Sequence, residues 1–283
     1  MYLSIKNKHT RDQFIQFTEI GHSYTISIDL THKYTSTTTW VHQFVQEFNS
    51  DDIIKKIMSG KNWNPSHKYW GLNPNEIKLL WENNGKKSSQ LGTNIHYNIE
   101  CFMNECPLYE YQQNDFDYNH QDLFDCYDPT PNPDTEWNYF LDFIKDFPNL
   151  VPYRTEWLIF HEDIKISGSI DMVYKNNDNT LSIYDWKRCK SIDQNNNWNK
   201  FMKPPLNHLP DTNYWHYALQ LNIYKMILET KYGFSVKELF LVQLHPDNSS
   251  YVLIQLPFLH NEIAKIVQNR IILYNNDNNN TTD

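Results

Sequence analysis

The chain has 283 residues, enough to bury one core and a small appended unit, and none of its apolar runs approaches the ~20 residues of a membrane span. Its net charge of −9 argues against indiscriminate polyanion binding. That charge is uneven, however: 11 Asp and Glu against the single Lys145 lie between Glu105 and Phe147, so the remainder is about neutral. Cys101, Cys106, Cys126 and Cys189 form no C-x-x-C, which excludes a zinc ribbon, and the opening MYLSIKNKHT has no signal-peptide core. The expectation is a soluble, intracellular protein with reduced thiols, no zinc and no membrane partner.

Residues 1–40 are rich in β-branched and aromatic residues and predict an irregular β unit. A helix over 41–58 carries Phe44, Val45, Phe48, Ile53, Ile54 and Ile57. Residues 63–72 predict a loop with aromatic anchors, and 75–83 a helix with Ile77, Leu80 and Trp81 inward. Together 1–84 read as a mostly helical N-terminal lobe, either shaping a substrate channel or covering one side of a sheet. The next helix, over 89–104, has Ile95, Ile99, Phe102 and Met103 as its buried stripe, with His96 and Glu100 four apart on a neighbouring face. An acidic insertion at 105–134 ends in DPTPNPD, inside a core region spanning 85–275. The helix over 135–147 turns Trp137, Phe140, Leu141 and Ile144 toward the core.

The stretch 151–190 carries the chemistry. It predicts a strand over 156–161, an alternating strand over 165–174, a turn at 176–179 and a third strand over 181–188. Period-two alternation puts Asp185 and Lys187 on one face and Trp186 on the other. On the middle strand Ile166, Ile170, Met172 and Tyr174 take the apolar face, leaving Asp171 opposite with Ser169 and Val173. A hairpin then sets Asp171 beside Asp185 and Lys187. Converging carboxylates repel unless a proton or a metal neutralises them, and hard oxygen ligands suit Mg²⁺ or Mn²⁺. A lysine facing the same point can orient water or stabilise charge on a phosphate oxygen. The set suggests phosphodiester hydrolysis; the bland alternative is a turn aspartate beside an exposed ion pair.

Downstream, Lys187, Arg188, Lys190, Lys200 and Lys203 outnumber the nearby acids, which makes Arg188 and Lys190 candidates for holding phosphate. Asp211 or Thr212 caps a helix running to about 231, with Asn213, Tyr217, Gln220 and Tyr224 on one face and Trp215, Leu219, Ile223 and Met226 on another. Strands over 236–243 and 251–256, a helix over 258–274 and a disordered tail at 276–283 complete the chain.

Gly168-Ser169-Ile170-Asp171 followed by Asp185-Trp186-Lys187 resembles the core of the PD-(D/E)xK nuclease superfamily, in its RecB-like and lambda-exonuclease-like branch. Serine and isoleucine stand where the family name has its proline-aspartate pairing. Upstream, Gly92-Thr93-Asn94-Ile95-His96 is similar to the helix whose histidine is a metal ligand in RecB-type enzymes. Downstream, Gln220-Leu221-Asn222-Ile223-Tyr224 matches their Q-x-x-x-Y motif. The four motifs keep the family order over about 85–256, and Trp186 resembles the residue at that place in mitochondrial and viral exonuclease-like members.

The resemblance implies a restriction-endonuclease-like α/β fold, with a mixed central sheet flanked by helices. It implies Mg²⁺ or Mn²⁺ held by Asp171, Asp185, His96 and the Trp186 carbonyl, with Glu156 as a further carboxylate and Lys187 as the catalytic lysine. Gln220 and Tyr224 would hold the substrate strand. The implied activity is a DNA exonuclease of replication, recombination or repair, acting on a single strand or duplex end, with any helicase or replication partner on a separate chain. Some relatives carry an iron–sulfur cluster on cysteines after the nuclease core; none follows Cys189, so no cluster is expected. An RNA or structure-specific endonuclease, a catalytically silent nucleic-acid or partner-binding module, and an interaction protein using 105–134 remain open.

Overall fold

The computed structural model describes residues 1–104, 134–196 and 198–280. The chain opens with α1 (Tyr2–Lys6), a hairpin of β1 (Ile15–Thr18) and β2 (Ser23–Ile26), the two-residue β3 (Thr35–Ser36) and α2 (Thr37–His42). Then come α3 (Ser50–Met58), α4 (Pro74–Met103), α5 (Asp134–Asp146), and three strands, β4 (Val151–His161), β5 (Ile166–Lys175) and β6 (Leu181–Lys187). The order ends with α6 (Asn213–Lys231), β7 (Val236–Gln243), β8 (Val252–Gln255) and α7 (His260–Asn280).

The fold is α/β, a mixed central sheet flanked by helices. β4, β5 and β6 form an antiparallel meander, because tight turns such as the one closed by Asn179 N–H to Asn176 O can reverse the chain within a few residues. β7 lies parallel to β6 and β8 antiparallel to β7. A parallel neighbour needs a crossover, and α6 provides it. One face of the sheet is covered by α2, α6 and α7 through Trp40, Leu219, Ile223, Ile227 and Ile263. The other is covered by α4 and α5 through Ile95, Ile99, Phe140 and Phe143.

One edge of β5 changes partner midway. β3 pairs in parallel with Ile166 and Ser167, while β6 pairs only with Met172 to Lys175. The sheet therefore forks over Gly168 to Asp171. The expected apolar face of β5 also divides there: Ile166 and Ile170 pack on the α6 side, Met172 and Tyr174 on the α5 side, and Val173 is buried too. A strand covered on both faces carries no simple alternation.

Other expectations need correction. The helix over 41–58 is two short helices, α2 and α3, separated by 43–49. The two helices over 75–83 and 89–104 are one 30-residue helix, α4, which runs through Gly85. Residues 1–42 belong to the sheet domain and not to a cap, since β3 joins the sheet and α1 is tied to it by Asn7 Nδ2 to Tyr153 O. In α5, Trp137, Phe140 and Ile144 pack in the core as expected, but Leu141 is 37% exposed and Phe143 is fully buried in its stead. The acidic 105–134 stretch lies outside the described residues save Asp134, and α7 continues to Asn280, into the expected tail; 281–283 lie outside them too. Among the described residues no helix is long and apolar enough to cross a membrane.

Candidate active site

The fork in the sheet exposes the one part of β5 whose side chains are not locked between two strands, and the candidate residues gather there. Asp171 sits at its end, where Oδ2 accepts the backbone N–H of Trp186 at 3.1 Å, a side chain standing in for the missing ladder bond. His96, on α4, reaches the same residue at the next peptide: Nε2 lies 2.8 Å from Trp186 O. A carbonyl only accepts, so Nε2 carries a proton, and Nδ1 lies 3.4 Å from Asp171 Oδ2. A neutral imidazole would offer Nδ1 as a ligand beside that carboxylate oxygen. The Trp186 carbonyl, expected as a metal ligand, is thus engaged by His96. The indole of Trp186 points to the far face and packs edge-on against Phe140 and Phe143.

Asp185 and Lys187 share the near face, as alternation requires. Asp185 is only 2% exposed, and its Oδ2 is 2.5 Å from Lys187 Nζ. Burial, then the charge of Asp171, pushes Asp185 up to about 6. Burial alone would lower Lys187, but Asp185 and Asp171 outweigh it and hold the ammonium above its usual range. Lys187 is therefore a charged donor, and its ammonium also lies 4.6 Å over the Tyr217 ring.

Glu156 stands on β4 between the pairs Thr155↔Met172 and Trp157↔Ile170, opposite Asp171. Its φ is +42°, a left-handed conformation that a non-glycine residue rarely adopts inside a strand. Ser169 Oγ donates to it at 2.8 Å. Burial, then Asp171, with Glu100 and Asp185 adding to it, pushes Glu156 up to about 8. Glu100 is raised as well, by burial. One ligand atom each from His96, Glu156 and Asp171 all lie within 4.8 Å of one another. Burial and crowding raise Glu156 and Asp185 toward their protonated forms, a cost a cation would relieve, and hard oxygens with one imidazole are a donor set that fits Mg²⁺ or Mn²⁺.

Gly168 has a packing reason to be glycine. A Cβ there would meet Tyr224 Cε1 at 2.6 Å and Thr37 Oγ1 at 3.0 Å. Tyr224 is thus wedged against the backbone of β5 at 3% exposure, and its hydroxyl accepts from Gln220 Nε2 at 3.0 Å. Gln220 Nε2 also bonds Thr38 Oγ1 at 3.2 Å. These two residues hold the floor of the fork, where Tyr224 is buried.

Arg188 does not face this site, and Lys190 is held in an exposed ion pair. Arg188 follows Trp186 onto the far side of the sheet, where its Nε lies 2.6 Å from Glu136 of α5. Lys190 pairs with Asp247 at 2.8 Å. Sequence reading missed Glu136, Thr38 and the contact of Tyr217 with Lys187. Tyr217 shared the helix face of Gln220 and Tyr224, so its position was available; the other two gave no signal. An open groove lined by Asp51, Ile54, Lys55, Met58, Ser59 and Pro74 lies between α3 and α4, away from the carboxylates.

No family model and no curated protein matches the sequence. Among solved structures the chain is similar to one described as "Crystal structure of SSO0001", at 18% identity and a TM-score of 0.25. The match covers 55% of this chain and 66% of that one. So slight a likeness says nothing about chemistry.

Proposed function

We propose that this protein is a divalent-metal-dependent nuclease that hydrolyses DNA phosphodiester bonds, an exonuclease of the PD-(D/E)xK kind that its motifs resemble. The observation that carries the reading is the meeting of Asp171, Asp185, Lys187, His96 and Glu156 at the fork of the sheet, where burial and crowding raise Glu156 and Asp185 toward their protonated forms.

Asp171, Asp185 and His96 would hold Mg²⁺ or Mn²⁺, with Glu156 beside them. The bound ion would polarise a phosphoryl oxygen and make water more acidic at neutral pH. The chain's own groups do the positioning. Lys187, kept charged by Asp185 and Asp171, donates to a non-bridging phosphate oxygen or to the attacking water. Asp171 holds the N–H of Trp186 and His96 its carbonyl, which fixes the two peptides that join Asp185 to Lys187. Ser169 orients Glu156.

The test compares wild type with Lys187→Ala and Asp185→Ala on end-labelled linear DNA, circular DNA and matched RNA, in Mg²⁺, Mn²⁺ or EDTA. Wild type should degrade linear DNA only with metal, and each variant should lose about 10²-fold or more in rate. Cutting of circles would make it an endonuclease, and preference for RNA a ribonuclease. Clean wild type that cuts nothing in any metal sinks the reading.

A further inference from the structure

Residues 49–90 differ in charge from the rest of the molecule. They hold seven lysines against Asp51, Asp52, Glu76 and Glu82, a surplus of three positive charges in a chain whose net charge is −9. The same unit shows large aromatic side chains to solvent: Trp70 is 47% exposed, and Phe48, which adjoins the unit, 65%. They lie on a connected aromatic set, with Phe48 against Trp81, Trp81 bonded to Tyr69, Tyr69 and Trp63 both against His67, and Trp63 against Trp70. A second exposed pair, Trp198 at 80% and Phe201 at 45%, sits on the loop that leaves Lys187, beside the exposed Lys200.

The two sets are joined. Gln46 Nε2 donates to Phe201 O and Lys203 N–H to Phe44 O, so the segment leading to Phe48 is bonded to the loop leading away from the site. The loop is ordered by its own bonds: Asn196 Oδ1 accepts the N–H groups of Trp198 and Lys200, and Trp215 Nε1 donates to Gln194 O. Exposed aromatics on an ordered, lysine-bearing path suit stacked bases and a tracking phosphate backbone. Stacking needs unpaired bases, since a duplex hides their faces.

We propose that this path, Trp198 and Phe201 through Phe48 to Trp70, is a binding surface for single-stranded nucleic acid that leads a strand to the fork. The proposal takes its ligand class from the nuclease reading, but its test needs no cleavage. Fluorescence anisotropy in EDTA would measure binding of labelled dT30 and of a 30-base-pair duplex to full-length wild type, Trp198→Ala, Phe48→Ala and Trp70→Ala. All three side chains are exposed, Trp70 about half, and circular dichroism checks that each variant folds. Wild type should prefer dT30, and each variant should bind it about tenfold or more weakly. Lys61→Ala with Lys200→Ala should lower the slope of log affinity against log salt by about 0.7 per lysine.

Aromatic variants that bind like wild type, or a preference for duplex, would overturn the proposal. Absence of binding would overturn it too and leave the surface to a protein partner. Cleavage of dT30 in Mn²⁺ is measured in parallel. Tight, aromatic-dependent binding without cleavage would sink the nuclease reading alone; cleavage with unaffected variants would sink this one alone.

Discussion

Gly168 decides how near Tyr224 can come to β5. The ring lies in the sheet fork and has nowhere to move, so Gly168→Ala should cost about 1–3 kcal/mol, read as a lowered denaturant midpoint. Tyr224→Leu in the same chain should return part of that loss; if it does not, the contact is not the cause. His161 gives a second residue-scale test. Burial, then Lys231, lowers it to about 4, against 6.5 for an ordinary histidine. Above pH 6.5 it is neutral in both folded and unfolded chains and carries no penalty. As pH falls from 6.5 to 4 the unfolded chain takes the proton first, so roughly 2–3 kcal/mol of stability is lost across that window and no more below it. His161→Gln should flatten the curve of thermal midpoint against pH between those values, and an unchanged curve would assign the acid loss elsewhere.

At the scale of elements, the far face of β6 is organised around Trp186, with Arg188 held by Glu136 of α5. Removing one member of a buried pair strands the other, so Arg188→Ala should cost about 3–5 kcal/mol by denaturant titration. Lys190→Ala, which breaks an exposed pair, should stay within about 0.5 kcal/mol. If Arg188 bound substrate instead, the first variant would keep its stability and lose affinity. This is where sequence reading succeeded and failed for related reasons. Period-two alternation on β6 puts Asp185 and Lys187 together and sends Arg188 away from them, which local charge counting obscured; β5 breaks its alternation beside Asp171, so that part of the meeting rests on the fork. The strands of 151–187 were legible because tight turns punctuate apolar runs. α4 was not, because NNGKKSS lacks an apolar stripe, and residues 82–90, nearly all exposed, need none. Nothing local announced the left-handed backbone of Glu156, which is held by its neighbours and not by its own preference.

Taken whole, the molecule concentrates acidic groups at a point that its tertiary structure, not any one segment, assembles: α4, β4, β5 and β6 each supply a member. Mg²⁺ or Mn²⁺ should therefore raise the thermal midpoint of wild type, EDTA should reverse the rise, and Asp171→Ala should abolish it. A midpoint indifferent to metal would count against the donor set. Besides the bonds of Gln46 and Phe44 to the loop after Lys187, a single rod ties the remote lobe to the site. Ile77 anchors α4 in the lobe and His96 anchors it at the Trp186 peptide, nineteen residues or about 28 Å further along, with solvent around most of the span between. Such a rod works as a vernier. One residue inserted near Asn84 would leave both ends folded yet turn the lobe by about 100° relative to the sheet, so the spacing between these anchors tolerates change only in near-whole turns.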